Sequence, residues 1–330
     1  MNDNLNYQIY MKQGNCSYCS NRSIVIHRKY SGERLCPECF TNSIEKNIYQ
    51  TISKYKMLKP QDKIVVALSG GKDSISLLYN LIQIQEKKHR SEPLLALTID
   101  EGIKDYREHS LKIASDFCKK YEVEHIVISS KEEVGNTLDE IVELKKENDD
   151  YVYACNYCAT IRRRLLNDGA RKLGGDVLAL GHNLTDLAET YLMNIVSNRY
   201  QLVANQYLFK QETADVRQYF VKKISPLMRI PEEEIFLYSN IKKLEYYPSH
   251  CPNREKEPIL RKRVLDFIQD CKKYSPEIEF NLLNGFLELS EILYDQSKKT
   301  SYNSCQKCGY PCGKNVLCTY CKLKDTLKMN

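Results

Sequence analysis

A strand, a glycine-rich turn and a helix follow one another at residues 64–82, and no other stretch restricts the fold as much. Ile64-Val65-Val66-Ala67-Leu68 is an uninterrupted apolar run, the pattern of a parallel strand buried on both faces. Ser69-Gly70-Gly71-Lys72-Asp73-Ser74 comes next, and Ile75, Leu77, Leu78, Leu81 and Ile82 then recur as the apolar side of a helix. Adjacent glycines let backbone approach an anion closely, and the first N–H groups of a helix point at it. Ser69 and Ser74 add hydroxyl donors and Lys72 a positive charge, so the expectation is a phosphate cradle. The spacing excludes a Walker A loop, and no third glycine completes a dinucleotide fingerprint.

Strand and helix signals alternate from there. Pro93 introduces a strand over Leu94–Ile99 that ends in Asp100-Glu101-Gly102, where open α/β sheets bind ligands. Asp100 is a candidate ligand contact or helix cap, and Glu101 reads as its solvated neighbour. A helix is expected over Lys104–Tyr121 with Ile113, Ala114, Phe117 and Cys118 inside, then a strand over Val123–Ser129. The acidic run Glu132–Asp150 reads as a solvated helix or mobile loop. A fourth strand, Val177–Leu180, runs into Gly181-His182-Asn183-Leu184-Thr185-Asp186. The next helix has Leu184, Leu187, Ala188, Tyr191, Leu192 and Ile195 on one face, and Asp186 falls off that face. This order predicts an α/β fold, a parallel sheet with helices on both faces. Residues 199–224 show little period and read as a mobile segment; Lys222-Lys223 and Arg261-Lys262-Arg263 read as basic patches.

Fourteen cysteines in 330 residues are too many for an ordinary enzyme core, and Cys-x-x-Cys spacing occurs five times. Clustered thiolates repel one another unless a cation neutralises them, so metal is favoured over disulfides. Cys16, Cys19, Cys36 and Cys39 bracket a strand at Ile24-Val25-Ile26 and a Ser31-Gly32 turn, which is zinc-ribbon spacing; His27 reads as a surface residue. Cys305, Cys308, Cys318 and Cys321 form a second ribbon, in which Cys312 is a fifth thiol. Cys155-Asn156-Tyr157-Cys158 opens a helix carrying Arg162, Arg163 and Arg164 and has no second pair at ribbon spacing; a thiol pair there is redox-active or ligates a metal. Cys251 sits in Ser249-His250-Cys251-Pro252, while Cys271 shares an apolar stripe with Leu260, Val264, Phe267 and Ile268. The net charge of +6 permits a polyanionic partner. No apolar run of about 18 residues and no basic-then-apolar leader is found, so a cytoplasmic protein without membrane contact is expected.

The hexapeptide resembles the PP-loop of the ATP pyrophosphatases, which split ATP between its α and β phosphates. Ser69–Ser74, Asp100-Glu101-Gly102-Ile103, Cys155-x-x-Cys158, Gly181-His182-Asn183-x-x-Asp186 and Cys251-Pro252, in this order between two ribbons, resemble the tRNA 2-thiouridine synthetases. Ala159 stands where that family commonly has glycine, Thr185 where it has an acid, and Arg162 where it has a basic residue assigned to catalysis. The resemblance implies a [4Fe–4S] cluster on Cys155, Cys158 and Cys251, with one iron lacking a protein ligand. It implies ATP and Mg²⁺ on Ser69, Gly70, Gly71, Lys72, Asp73, Ser74, Asp100, Gly181 and His182, with Lys72, Arg162 and Asp186 catalytic. Two Zn²⁺ would occupy the ribbons.

The expected domains are a ribbon at 1–50, a PP-loop catalytic domain at 51–255, a helical segment at 256–300 and a ribbon at 301–330. The expected reaction is adenylation of a tRNA uridine at O2, followed by sulfur transfer, with uridine 34 favoured over uridine 54. Partners implied are tRNA, a sulfur donor (a ubiquitin-like carrier or inorganic sulfide) and a second copy of the chain. Two other readings use the same residues: a cluster-free thiolase working through a persulfide on Cys155 or Cys158 and a disulfide with Cys251, and a zinc-ribbon RNA-binding protein with an inactive nucleotide site.

Overall fold

The computed structural model describes residues 12–87, 92–146, 153–206, 218–249, 251–253, 260–297 and 303–328. At its centre is a five-stranded, all-parallel sheet. With β1–β4 reserved for the N-terminal ribbon, its strands are β5 (Ile64–Ala67), β6 (Leu95–Asp100), β7 (Glu124–Ser129), β8 (Val177–Ala179) and β9 (Lys222–Ile224), in the order β7-β6-β5-β8-β9. The order reverses between β5 and β8, which places a crevice at their carboxyl ends. Side chains alternate across the central strands. Val66, Ala96 and Ala179 join one apolar cluster, and Val65, Leu97 and Leu178 join another on the opposite face.

Helices α1 (Pro37–Lys54), α2 (Lys72–Glu86) and α3 (Arg107–Lys120) cover the first face, with Cys118 buried among them as expected. After the short α4 (Ser130–Val134) and α5 (Leu138–Lys145), α6 (Ala154–Lys172) covers the second. It lies close to the sheet at Gly169, where an added Cβ would come within 2.9 Å of Leu97 Cδ2 and 2.6 Å of Ile128 Cδ1. Helices α7 (Leu184–Val196), α8 (Tyr200–Ala204), α9 (Glu232–Ile241), α10 (Leu260–Lys272) and α11 (Ile278–Ser297) complete the core, and α12 (Thr319–Lys328) belongs to the C-terminal ribbon. Among the described residues no helix is long and apolar enough to cross a membrane.

Three expectations are corrected here. Lys222 and Lys223, in the segment read as mobile, belong to edge strand β9 and stay exposed there. Lys222 Nζ donates to the carbonyls of Lys56 and Met57, and the backbone N–H of Val221 donates to Asn167 of α6. A strand of three residues is too short to display a period; residues 207–217, the middle of the segment read as mobile, lie outside the described residues. The expected strand Ile24–Ile26 is two pieces. β2 (Ser23–Ile24) pairs with β1 (Lys12–Gln13), and β3 (Ile26–His27) pairs with β4 (Arg34–Leu35), so the chain changes partner at Val25. On α10 only Val264 and Ile268 are buried; Leu260 and Phe267 face solvent and Cys271 is half-buried.

A buried ion pair ties the N-terminal ribbon to the core. Arg28 Nη2 lies 2.7 Å from Glu234 Oε2 at the start of α9, and Tyr30 Oη donates to Glu234 Oε1 at 2.5 Å. Removing one partner strands the other charge away from water. Glu234→Ala is therefore expected to cost about 3 kcal/mol, read as a lower midpoint of urea unfolding, whereas Lys273→Ala, which breaks an exposed pair with Asp270, should leave the midpoint within error.

Candidate active site

The loop after β5 folds as its glycines require. Gly70 has a φ of +83° and Gly71 is the N-cap of α2. A Cβ on Gly70 would lie 2.2 Å from the carbonyl oxygen of Ser110, so only glycine fits. Ser74 Oγ accepts from the N–H of Ser69, and Ser69 Oγ accepts from that of Gly71. These bonds hold the turn open with the first N–H groups of α2 facing the crevice. Across it, Gly181 packs against the start of α2, with its virtual Cβ 3.1 Å from the Ser74 nitrogen. Asn183 and Asp186 form a capping box at the head of α7, and Asn183 Nδ2 donates to Asp73 Oδ1 at 3.1 Å. Burial, reinforced by the charge of Asp186, raises the pKa of Asp73 against the pull of Lys72. Two carboxylates from adjacent helix heads therefore face each other beside a phosphate cradle, an arrangement suited to a divalent cation. His182 is exposed at the rim; its protein surroundings and Arg261, Arg162 and Arg163 lower its pKa, with Asp186 opposing.

The thiol site lies along the same sheet edge. Cys158 is buried in the second turn of α6, with Cys155 exposed one turn earlier. Cys251 packs on the cluster that contains Cys158, Tyr157 and Ile161. The segment leading to Cys251 is pinned to the cradle, because the N–H of Tyr247 donates to the Gly70 carbonyl at 2.8 Å. Tyr247 also stacks on His109, with ring centroids 5.7 Å apart. Burial raises the pKa of Cys158, with Arg162 opposing: its Nη2 donates to the Cys158 sulfur at 2.8 Å.

Glu101, read as solvated, is instead 4% exposed. Its Oε1 lies 3.0 Å from Arg162 Nε and its Oε2 3.0 Å from Arg107 Nε. Arg107 in turn donates to the carbonyls of Ser69 and Ile99. Asp100 accepts the N–H of Gly102, where φ is +68°, so it shapes the turn that buries Glu101 and caps no helix. The sequence reading missed Arg107, although its place on the inner stripe of α3 with Ser110, Ala114 and Phe117 was a signal.

Each ribbon gathers four cysteines with sulfurs within 4.8 Å of one another: Cys16, Cys19, Cys36 and Cys39, and Cys305, Cys308, Cys318 and Cys321. Cys312 stands outside the second set, its thiol donating to the carbonyls of Asn303 and Asn315. Arg164, the third of three consecutive arginines on α6, faces this ribbon. Its guanidinium lies 4.3 Å from the Tyr310 ring centre and 5.1 Å from that of Tyr320, and donates to Cys308 and Cys318.

Residues 40–268 match the PP-loop domain family, and residues 15–41 match the N-terminal LIM domain of 2-thiouridine synthetase TtuA. The chain is 32% identical over 326 residues to the tRNA 2-thiolation protein NcsA of Haloferax volcanii, covering 95% of this chain and 99% of that one. The chain belongs to the tRNA 2-thiolation family of PP-loop proteins. It is also similar to a probable sulfurtransferase of Methanocaldococcus jannaschii, 35% identical over 95% of this chain and 88% of the relative. Among solved structures it resembles the U34-tRNA thiolase NcsA of Methanococcus maripaludis with its [4Fe–4S] cluster, at a TM-score of 0.79 and 29% identity, covering 95% and 96% of the two chains. Within this family member, Thr185 has a definite task in place of the acid. Its hydroxyl donates to buried Glu279 and accepts the N–H of Glu232 at the head of α9, and a carboxylate could not donate.

Each of the two cysteine sets could hold a metal ion of its own. Cys308→Ser should lower the tightly held metal by one equivalent per chain and Cys312→Ser should leave it unchanged, measured by elemental analysis after gel filtration.

Proposed function

We propose that the protein is an ATP-dependent tRNA 2-thiolation enzyme acting on uridine 34. The observation that carries this reading is the Arg107–Glu101–Arg162 relay, buried at Arg107 and Glu101 and open to solvent at Arg162, which joins the Ser69 carbonyl of the phosphate cradle to the Cys158 sulfur. A nucleotide site and a thiol site held by one carboxylate suit a reaction that activates a base and then gives it sulfur. The M. maripaludis relative, described as a U34-tRNA thiolase, supports the choice of uridine.

The uridine C2 oxygen is a poor leaving group, so it must be activated. The cradle N–H groups and Lys72 bind the β and γ phosphates and stabilise charge as pyrophosphate departs. Asp73 and Asp186 would hold Mg²⁺, which would supply positive charge to the phosphates. Attack by O2 on the α phosphorus forms an O–P bond, breaks the α–β bridge and leaves the base adenylated. A sulfur nucleophile then adds at C2, and AMP leaves with the former O2. Arg162, fixed by Glu101, stabilises negative charge at the thiol site, and His182 and Asp186 line the rim where proton transfer takes place. Side-by-side binding of the two reactants lowers the entropic part of the second barrier.

The thiol site fits a [4Fe–4S] cluster. Its donor set is three soft sulfurs backed by an arginine: Cys155 and Cys158 stand one turn apart on α6, and Cys251 packs on the cluster that contains Cys158. Cys155, Cys158 and Cys251 would hold it, and when bound it would supply an iron without a protein ligand as a Lewis-acid site for sulfur. The ribbons would hold Zn²⁺, as closed four-thiolate sites do. Inorganic sulfide or a ubiquitin-like carrier would provide the sulfur.

Anaerobically purified protein should contain about four irons and four sulfides per chain, lost in Cys251→Ala while zinc remains. Zinc alone in the wild type would sink the cluster reading in favour of a persulfide route. With labelled ATP, AMP should form in a tRNA-dependent manner, and Asp186→Asn should slow it by about 100-fold; no AMP from the wild type would mean the nucleotide site is not catalytic.

A further inference from the structure

Pro231-Glu232-Glu233-Glu234 begins α9 with three consecutive glutamates, each paired to a different part of the molecule. Glu234 meets Arg28 of the N-terminal ribbon, Glu233 meets Lys272 of α10 at 2.6 Å, and Glu232 meets Lys72 of the phosphate cradle at 2.7 Å. Sequence reading gave Glu232 no role, because 160 residues separate it from Lys72.

The Lys72 ammonium therefore carries two carboxylates, Asp73 Oδ2 at 3.0 Å and Glu232 Oε1 at 2.7 Å. They are not equivalent. Asp73 is next to Lys72 in the loop and accepts from Asn183, so it stays with the cradle. Glu232 comes from another helix, and its side chain is 46% exposed. Its backbone is fixed by the bond from its N–H to Thr185, but its carboxylate lies at the crevice surface. A polyphosphate reaching Lys72 brings several negative charges to the place where the Glu232 oxygen now sits. Both anions cannot keep the same ammonium without mutual repulsion. The two carboxylates thus hold the lysine in place before any nucleotide arrives.

We propose that Glu232 is a positioning residue that stands in for nucleotide phosphate on Lys72 and is displaced when the polyphosphate of ATP binds. This rests on the nucleotide reading of the cradle. The Glu232 carboxylate keeps the Lys72 side chain extended into the crevice, and it competes with the incoming phosphate. After the reaction it takes Lys72 back from pyrophosphate, which favours release of that product.

The test is equilibrium binding of ATP and of inorganic pyrophosphate to the full chain, comparing wild type with Glu232→Gln, Glu232→Asp and Glu233→Gln. Removing a competitor tightens binding, so Glu232→Gln is expected to lower the Kd of both ligands about three- to fivefold, the size of a partly exposed ion pair. Product release should become slower, seen as a lower kcat together with a lower KM for ATP. Glu232→Asp keeps a carboxylate and should return both constants towards wild type. Glu233→Gln makes the same charge change one residue away and should leave nucleotide affinity unchanged. Equal tightening in Glu232→Gln and Glu233→Gln would reduce the effect to general electrostatics and overturn the proposal. Unchanged or weaker affinity in Glu232→Gln would also overturn it, because loss of mere structural support weakens binding. Failure of the wild type to bind ATP would instead remove the nucleotide reading itself.

Discussion

The structure depends on one carboxylate taken out of water. Glu101 lies at the end of β6 with a guanidinium on each oxygen, and neither arginine is spare: Arg107 also holds two backbone carbonyls, and Arg162 also holds a thiol. A buried charge is tolerated when paired and hydrogen-bonded and is costly when a partner is lost. The arrangement is thus all-or-none. It makes the loop after β5, the turn after β6 and the first turns of α6 one unit, although they come from distant parts of the chain. The Glu101 carbonyl extends the unit by accepting the N–H of Leu138 at the head of α5.

The sheet explains why these parts can meet. Every strand is parallel, so every loop that follows one emerges at the same edge, and the reversal between β5 and β8 leaves a crevice. The cradle, the Asn183–Asp186 box and the Glu101 turn are the loops after β5, β8 and β6. Cys158 reaches that edge from the head of α6, and Cys251 through the pinned segment at Tyr247. The chemistry of the site is therefore a property of the topology as much as of the motifs.

How much of this was legible in the sequence follows from how each signal is encoded. The cradle, strands β5 to β8 and both cysteine sets were readable, because continuous apolar runs, paired glycines and Cys-x-x-Cys spacing are local patterns. Pairings between distant residues were not. Glu101 looks solvated beside Gly102, Arg164 looks like one of three surface arginines, and nothing near Glu232 mentions Lys72. Each is decided by a partner brought close by tertiary structure alone. Strand β9 was hidden for another reason: three residues at a sheet edge, two of them lysines, carry too little pattern to stand out. Cys312, left as a fifth thiol by the Cys-x-x-Cys spacing, is turned to backbone carbonyls and stands apart from the set.

Helix α6 has an uncommon position, with the thiol pair at its head and Arg164 clasped between two tyrosine rings of the C-terminal ribbon further along. Arg164 also donates to two of the ribbon sulfurs, so helix and ribbon complete each other. On the ribosome, α6 emerges well before residues 303–328 are made. The helix that presents Cys155 and Cys158 thus waits for a later-made element before its outer side is covered. The setting of the thiol pair is in this way tied to the folding of a ribbon made more than a hundred residues later, and a chain whose ribbon has not folded keeps Cys155 and Cys158 without the support that holds their helix in place.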